Sequence, residues 1–377
     1  MTIPFIDLKR TEPDFMDRWI SIATDISKNY GFIGGTHVQS LERNLTNWTQ
    51  TTHAISCANG TDALQLALRA AGVKKNDAVL LPDATFWATF EAVVNVGANP
   101  YTVAVSLNDG CMDFQAFEQA INEVKPKAAI IVHLYGWGPA KLADMRELCK
   151  AKGVVLIEDG AQSFGTTYQG NSIYRDAMVA TTSFYPAKVL GAAGDGGAVF
   201  TSDAELAATI RQLSNHGRTS HYGHGLVGWN SRMDSLQAAY VNLSLEYFQQ
   251  RLESRQQTTA WYRKNLTNPN LIGVTPQADY TENGYCNVNL VVSNSIRTEI
   301  ETKLKAQSIG FGNIYPMAVS DQPGAVGFLE KHIGGKTATD MSLRVLNLPL
   351  FPYMKAEELQ EIADLVNTTA ISTVVGS

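Results

Sequence analysis

A chain of 377 residues, 45% hydrophobic and 18% charged, has room for one large domain with a smaller one beside it. A formal charge of −6 argues against nucleic acid or an anionic membrane as the main partner. The four cysteines are scattered without a Cys-x-x-Cys pair, and the seven histidines contain no His-Glu-x-x-His. A disulfide frame or a metal site therefore has no support, and a reducing compartment is expected.

The first ten residues lack a basic start followed by an apolar run, so no secretory signal is expected and the cytoplasm is the expected location. No stretch reaches a membrane-spanning length without charges. Phe15–Lys28 reads as a helix, followed by turns at Gly31, Gly34 and Gly35. From Ala54 a rhythm sets in. Ala54–Cys57, Ala78–Leu81, Ala128–Leu134, Val154–Ile157 and Ala177–Ser183 are short apolar strands. Helices lie between them at Thr61–Ala71, Trp87–Val96 and Ala140–Lys152. All-apolar strands alternating with helices mean a buried, mostly parallel sheet. Ala198–Thr201 is a further strand, and Ser202-Asp203-Ala204-Glu205 reads as a capping box opening the next helix. Arg232–Gln249 reads as one long helix. The division is placed after it: 1–250 as the large domain, 251–377 as a smaller α+β unit with a strand at Asn287–Val292 and helices at Thr298–Gln307 and Ala356–Val366.

Three features converge. First, Ser56-Cys57-Ala58-Asn59-Gly60-Thr61-Asp62 runs from a strand into a helix, and a helix N-terminus suits a phosphate. Plain capping by Asn59, Thr61 or Asp62 is the alternative. Second, Val154-Val155-Leu156-Ile157-Glu158-Asp159 places two carboxylates at the carboxyl end of a core strand, where ligands bind in open α/β sheets. One must point inward and needs a cationic partner, either a protonated ring nitrogen or a core arginine. Gln162 follows one turn later. Third, Lys188 lies on a stiff loop, Ser183-Phe184-Tyr185-Pro186-Ala187-Lys188, followed by glycines at 191, 194, 196 and 197. Burial lowers a lysine's pKa, and a neutral amine attacks aldehydes. A reactive lysine, an acid for a ring nitrogen and an anion site are the parts that hold pyridoxal 5'-phosphate. Neither Gly-x-Gly-x-x-Gly nor a P-loop occurs.

At these residues the chain resembles the DegT/DnrJ/StrS family of nucleotide-sugar aminotransferases. The likeness includes Phe5–Leu8, Asn59–Leu64, Asp83–Phe86, Glu158–Gly165, Ser183–Lys188, Gly194–Ala198, Asn215–Arg218, Asn230–Met233 and Leu348–Pro352. It implies a type I aminotransferase fold, with a mostly parallel seven-stranded sheet in the large domain, and a homodimer whose active sites are shared. It implies that Lys188 carries the cofactor and the proton, that Asp159 holds the pyridine nitrogen and that Gln162 lies near the ring hydroxyl. Phe86 is expected to stack on the ring. Gly60, Thr61 and Ser183 are expected at the phosphate, with Asp62 among the cofactor contacts, and Asn230 is expected to reach in from the neighbouring subunit.

Within the family the likeness runs toward members that aminate C-3 of a UDP-linked keto uronic acid sugar. The resemblance implies transfer from L-glutamate to a UDP- or dTDP-linked keto sugar, serving O-antigen or another surface polysaccharide. Amination at C-4, sugar dehydration and a non-catalytic cofactor-binding regulator are the alternatives. The dehydrating relatives carry histidine in place of the lysine. Tyr30 and Phe32 are candidates for the sugar site, with core packing as the competing reading. His216, Arg218, His221 and His224 are candidates for a diphosphate or sugar carboxylate across the dimer, against a simple solvated loop. Many members carry Tyr-Pro-x-Pro-Leu-His-x-Gln-Pro. Here the stretch is Tyr315-Pro316-Met317-Ala318-Val319-Ser320-Asp321-Gln322-Pro323, which lacks the second proline and the histidine. That puts sugar contacts from this loop, Tyr315 included, in question. The aromatic that usually precedes Gly194 is Ala193.

Overall fold

Side-chain caps set where several helices begin. Asn59, Asp113, Asp203, Asp234 and Ser293 each sit in extended backbone and accept an N–H bond from the first turn that follows. A computed structural model describes residues 2–369. In chain order, α1 is Phe15–Lys28, α2 Gly35–Thr49, β1 His53–Cys57, α3 Gly60–Ala70, β2 Ala78–Pro82, α4 Trp87–Asn95 and β3 Asn99–Val103. Then come α5 Phe114–Val124, β4 Ala128–Val132, α6 Leu142–Lys152, β5 Val155–Asp159, β6 Thr167–Tyr168, β7 Asn171–Ser172, β8 Val179–Ser183, β9 Gly197–Thr201, α7 Ala204–Ser214, α8 Ser235–Glu246 and α9 Phe248–Asn265. The rest of the chain adds β10 Leu271–Gly273, β11 Tyr280–Thr281, β12 Asn287–Val291, α10 Asn294–Ala306, β13 Lys331–Ile333, α11 Thr337–Arg344, β14 Val345–Leu348 and α12 Ala356–Asn367.

The main sheet runs β1-β9-β8-β5-β4-β2-β3-β13. Pairing is parallel from β8 through β13, and β9 alone runs against its neighbours. The sheet has eight strands rather than the seven the resemblance implies; six were read from the sequence, and β3 and β13 were not. Both faces are covered, which is why the central strands β2 and β4 are apolar throughout. Successive residues of β4 enter opposite cores: Ala129 and Ile131 on one face, Ala128 and Ile130 on the other.

A smaller sheet, β10-β12-β14, packs with α10 and α12 around Ile300, Leu304, Leu346 and Ile362. Chain segments pass between the two parts. Ile3 bridges to Ile309 and lies in the smaller core, while β13 crosses to the large sheet. The small ribbon β11-β6-β7 also joins residues from both sides of position 250.

Three local readings change. Residues 35–49 form a helix: Gly34 turns at φ 70°, and the chain winds from Gly35 onward. The cap of α7 is Asp203 rather than Ser202, its carboxylate accepting from Glu205 and Leu206 N–H. The expected helix over 232–249 starts only after the Asp234 cap and breaks at Tyr247, giving α8 and α9. No described helix is long and apolar enough to cross a membrane.

Candidate active site

A cleft of about 500 Å³ opens where α3 begins and β5 and β8 end. Its lining brings together Gly60, Thr61, Phe86, Asp159, Gln162, Ser183, Lys188 and Tyr315, residues drawn from all three sequence features.

The end of the cleft at α3 is built by register. Gly197 of β9 pairs with Cys57 on one side and Ser183 on the other. This presses the end of β8 against the first turn of α3. A Cβ on Gly60 would stand 2.7 Å from Ser183 Cβ, and one on Gly197 would stand 2.4 Å from the Asn59 carbonyl oxygen. Neither position tolerates a side chain without displacement. Asn59 Oδ1 accepts from Asp62 N at 2.8 Å. The N–H groups of Gly60 and Thr61, at the first two helical positions, have no intrahelical acceptor and remain for an anion. The Ser183 and Thr61 side chains line the same end. Asp62 does not line the cleft; its place is in the cap.

The two carboxylates of β5 take opposite faces. Glu158 is fully buried, with Arg146 Nε and Nη2 donating at 2.8 and 2.9 Å and His133 Nε2 at 2.9 Å. Burial pushes its pKa up, but Arg146 and His133 outweigh that and hold Glu158 below the usual carboxylate range. The core-arginine reading thus belongs to Glu158. Asp159 faces the cleft, 5% exposed. Its Oδ1 accepts from Ala161 N and its Oδ2 from Thr89 Oγ1, both at 3.1 Å. Burial raises its pKa against the pull of those donors and of Lys188, and among the described residues no cationic side chain forms an ion pair with it.

Lys188 follows a tight turn in which its N–H donates to the Tyr185 carbonyl at 2.8 Å. The close return of the chain requires Gly191, where a Cβ would meet the Pro186 carbonyl at 2.6 Å. The ammonium lies 5.3 Å from the Tyr285 ring centroid. Burial of this head group lowers its pKa to about 8, with Asp159 opposing. Gln162 is held at both ends: Oε1 accepts from Tyr135 N and Nε2 donates to Tyr315 Oη, each at 2.7 Å. The Phe86 ring is 58% exposed and tilts 39° to Tyr315 at 6.0 Å between centroids.

The remaining candidates lie outside this cleft. Tyr30 and Phe32 are exposed, the first at 83%, so core packing is not their role. His216, Arg218, His221 and Asn230 are exposed as well. Asn230 Oδ1 accepts from Arg232 Nε at 3.0 Å. Sequence reading missed Tyr285, Thr85, Thr89 and Asp195 in the lining. Thr85 and Asp195 lay within the stretches Asp83–Phe86 and Gly194–Ala198 that carry the likeness, and the i, i+4 spacing of Thr85 and Thr89 across the start of α4 was a usable signal; Tyr285 sat in no motif. Among the described residues, no group of three or more His, Cys, Asp or Glu is placed to hold a metal ion.

A reactive amine, an underpaired buried carboxylate, a helix N-terminus with free N–H groups and an aromatic lid fit pyridoxal phosphate. Residues 16–367 match the model of the DegT/DnrJ/EryC1/StrS aminotransferase family. The chain belongs to that family. It is 36% identical over 361 residues to the UDP-2-acetamido-2-deoxy-3-oxo-D-glucuronate aminotransferase of Pseudomonas aeruginosa, covering 96% of this chain and 98% of that one. It is 34% identical over 369 residues to the UDP-N-acetyl-3-dehydro-alpha-D-glucosamine 3-aminotransferase of Acidithiobacillus ferrooxidans, covering 97% and 98%. The solved structure of S. venezuelae DesV superposes with a TM-score of 0.91 at 31% identity, over 97% of this chain and 98% of that one. The α/β architecture is thus that of the family's aminotransferases, type I in kind.

Proposed function

We propose that this family member moves an amino group from L-glutamate to the C-3 keto group of a UDP-linked sugar. The product would feed a surface polysaccharide such as an O-antigen. Pyridoxal phosphate is the cofactor, and the chain is a sugar aminotransferase. The observation that carries the proposal is the meeting of Lys188, Asp159 and the α3 N-terminus in one cleft. The names of the two bacterial relatives support the UDP-linked 3-keto substrate.

When bound, the cofactor supplies an aldehyde that carries the amine and a pyridinium that withdraws electrons. The chain's residues do the rest. The Gly60 and Thr61 N–H groups, with the Thr61 and Ser183 hydroxyls, take the phosphate. Asp159 takes the positive ring nitrogen, which supplies the partner its burial lacks. Gln162 Nε2 keeps one N–H for the ring hydroxyl, and Phe86 covers a ring face. Lys188 anchors the cofactor. Its amine would hold and return the proton of the substrate carbon, a task suited to an amine poised near neutrality.

We further propose a homodimer in the cytoplasm in which Asn230 and the His216–His224 segment meet the partner's cleft. The exposure of Tyr30, Tyr222 and Val227, each above 80%, supports a covered face there. The substrate is tested by incubating protein, glutamate and UDP- or dTDP-linked 3-keto and 4-keto sugars, with the amino sugar located by NMR. Amination at C-3 of the UDP sugar is expected. Amination only at C-4 would move the assignment, and a deoxygenated product without nitrogen would replace transamination by dehydration.

A further inference from the structure

The segment after β12 and α10 that carries Tyr315 is strung between two anchors. At its start, Ile314 N donates to Asn347 Oδ1 at 2.7 Å, on β14 of the small sheet. At its end it meets Asp83, the residue after β2. Val319 N donates to the Asp83 carbonyl at 2.8 Å. Ser320 N donates to Asp83 Oδ1 at 2.7 Å and Ser320 Oγ to Oδ2 at 2.8 Å. Both carboxylate oxygens of a side chain only 1% exposed are therefore occupied by one serine. Ala318 and Val319 are buried beside it, which seats the loop on the large domain.

A histidine also approaches this carboxylate. His332 of β13 brings Nδ1 to 3.5 Å from Asp83 Oδ2 and to 3.0 Å from Thr102 Oγ1. Its Nε2 lies 3.2 Å from the Gly335 carbonyl and donates to it. Burial pushes the Asp83 carboxyl up, and the two Ser320 donors oppose that.

The position of this contact gives it a function. Three residues after Asp83 comes Phe86; five before Ser320 comes Tyr315. These two rings form facing parts of the cleft, and Tyr315 Oη also accepts from Gln162. One buried carboxylate thus sets the spacing of two walls. Lys188 and the α3 N-terminus hang on other elements. We propose that Asp83 and Ser320 are positioning residues: they clasp the Tyr315 loop to the large domain and so fix the sugar-side wall of the cleft. The substrate part of this inference rests on the amino-sugar reading above; the clasp itself does not.

The test is Ser320→Ala in protein reconstituted with pyridoxal phosphate, read by hydrogen–deuterium exchange and by the two half-reactions. Loss of one hydrogen bond to a buried carboxylate should speed amide exchange over residues 314–320 by about tenfold. KM for the UDP-linked 3-keto sugar should rise by a similar factor, about tenfold, while conversion of the cofactor by glutamate stays within about twofold of wild type. Ser320→Thr, which keeps the hydroxyl, should restore both. Unchanged exchange over 314–320 would overturn the clasp whatever the activity. Faster exchange with an unchanged KM would overturn its role at the sugar wall. If the wild type aminates no keto sugar, the amino-sugar reading fails, and the exchange result still decides the clasp. Asp83→Ala, if it folds, should exceed Ser320→Ala in exchange; a smaller effect would contradict the assignment.

Discussion

Glu158 and Asp159 are adjacent and chemically alike, yet the strand gives them separate duties. Glu158→Ala strands Arg146 in the core and should cost about 3 kcal/mol or more of stability, read as a lowered denaturation midpoint, with cofactor binding retained. Asp159→Asn should leave the fold intact and reduce turnover at least about 100-fold, because the ring nitrogen loses its counter-charge. Equal activities of the two variants would refute the division. The sequence showed that one carboxylate must face inward but not which, since that depends on Arg146 arriving from α6. Lys188 carries a pH prediction. With a pKa lowered to about 8, roughly one amine in ten is neutral at pH 7, far more than an ordinary lysine would offer. The neutral amine is the reacting form. The rate at which cofactor-free protein takes up pyridoxal phosphate should therefore rise with pH up to about 8 and level off above it. A rise continuing past pH 10 would place the lysine in solvent instead.

The phosphate turn shows why the elements have their lengths. β9 begins at Gly197 because only glycine lets it lie against the Asn59 carbonyl while Ser183 stays within reach of α3. Gly197→Ala should push the turn away, costing about 1–3 kcal/mol of stability and lowering cofactor affinity at least about tenfold by titration. Retained affinity would show that the phosphate is held elsewhere. Elements with strong local signals were legible in the sequence: the buried strands, α3 and the strand-to-helix turn at Asn59. Those set by distant partners were not. α2 hid behind a glycine pair that reads as a turn, and β13 is three residues whose strand character comes only from pairing with β3. The α8–α9 break at Tyr247 lacks a proline or glycine to announce it.

At the scale of the molecule, one cleft gathers residues from the chain before position 250 with Tyr285 and Tyr315 from beyond it. Asn230 and the histidine-rich segment stay outside it, which the proposed shared dimer site would account for. Mixing Lys188→Ala subunits with Asn230→Ala subunits should then restore activity that neither possesses alone, since some mixed dimers carry one site free of both changes; no restoration would confine each site to one chain. Family membership was legible because several of its motifs, among them Asn59–Leu64, Glu158–Gly165 and Ser183–Lys188, contribute to the cleft. The proposed contribution of a partner subunit could come only from the resemblance, since no pattern within one chain records a contact between two. The central claim is that Lys188, Asp159 and the α3 N-terminus hold pyridoxal phosphate for amine transfer. Its most direct test is the near-ultraviolet and visible spectrum of the reconstituted protein before and after glutamate. A visible band absent from Lys188→Ala, and converted by glutamate to the pyridoxamine form, is the predicted result. A protein that stays colourless with cofactor, or a Lys188→Ala variant with the wild-type band and turnover, would contradict it.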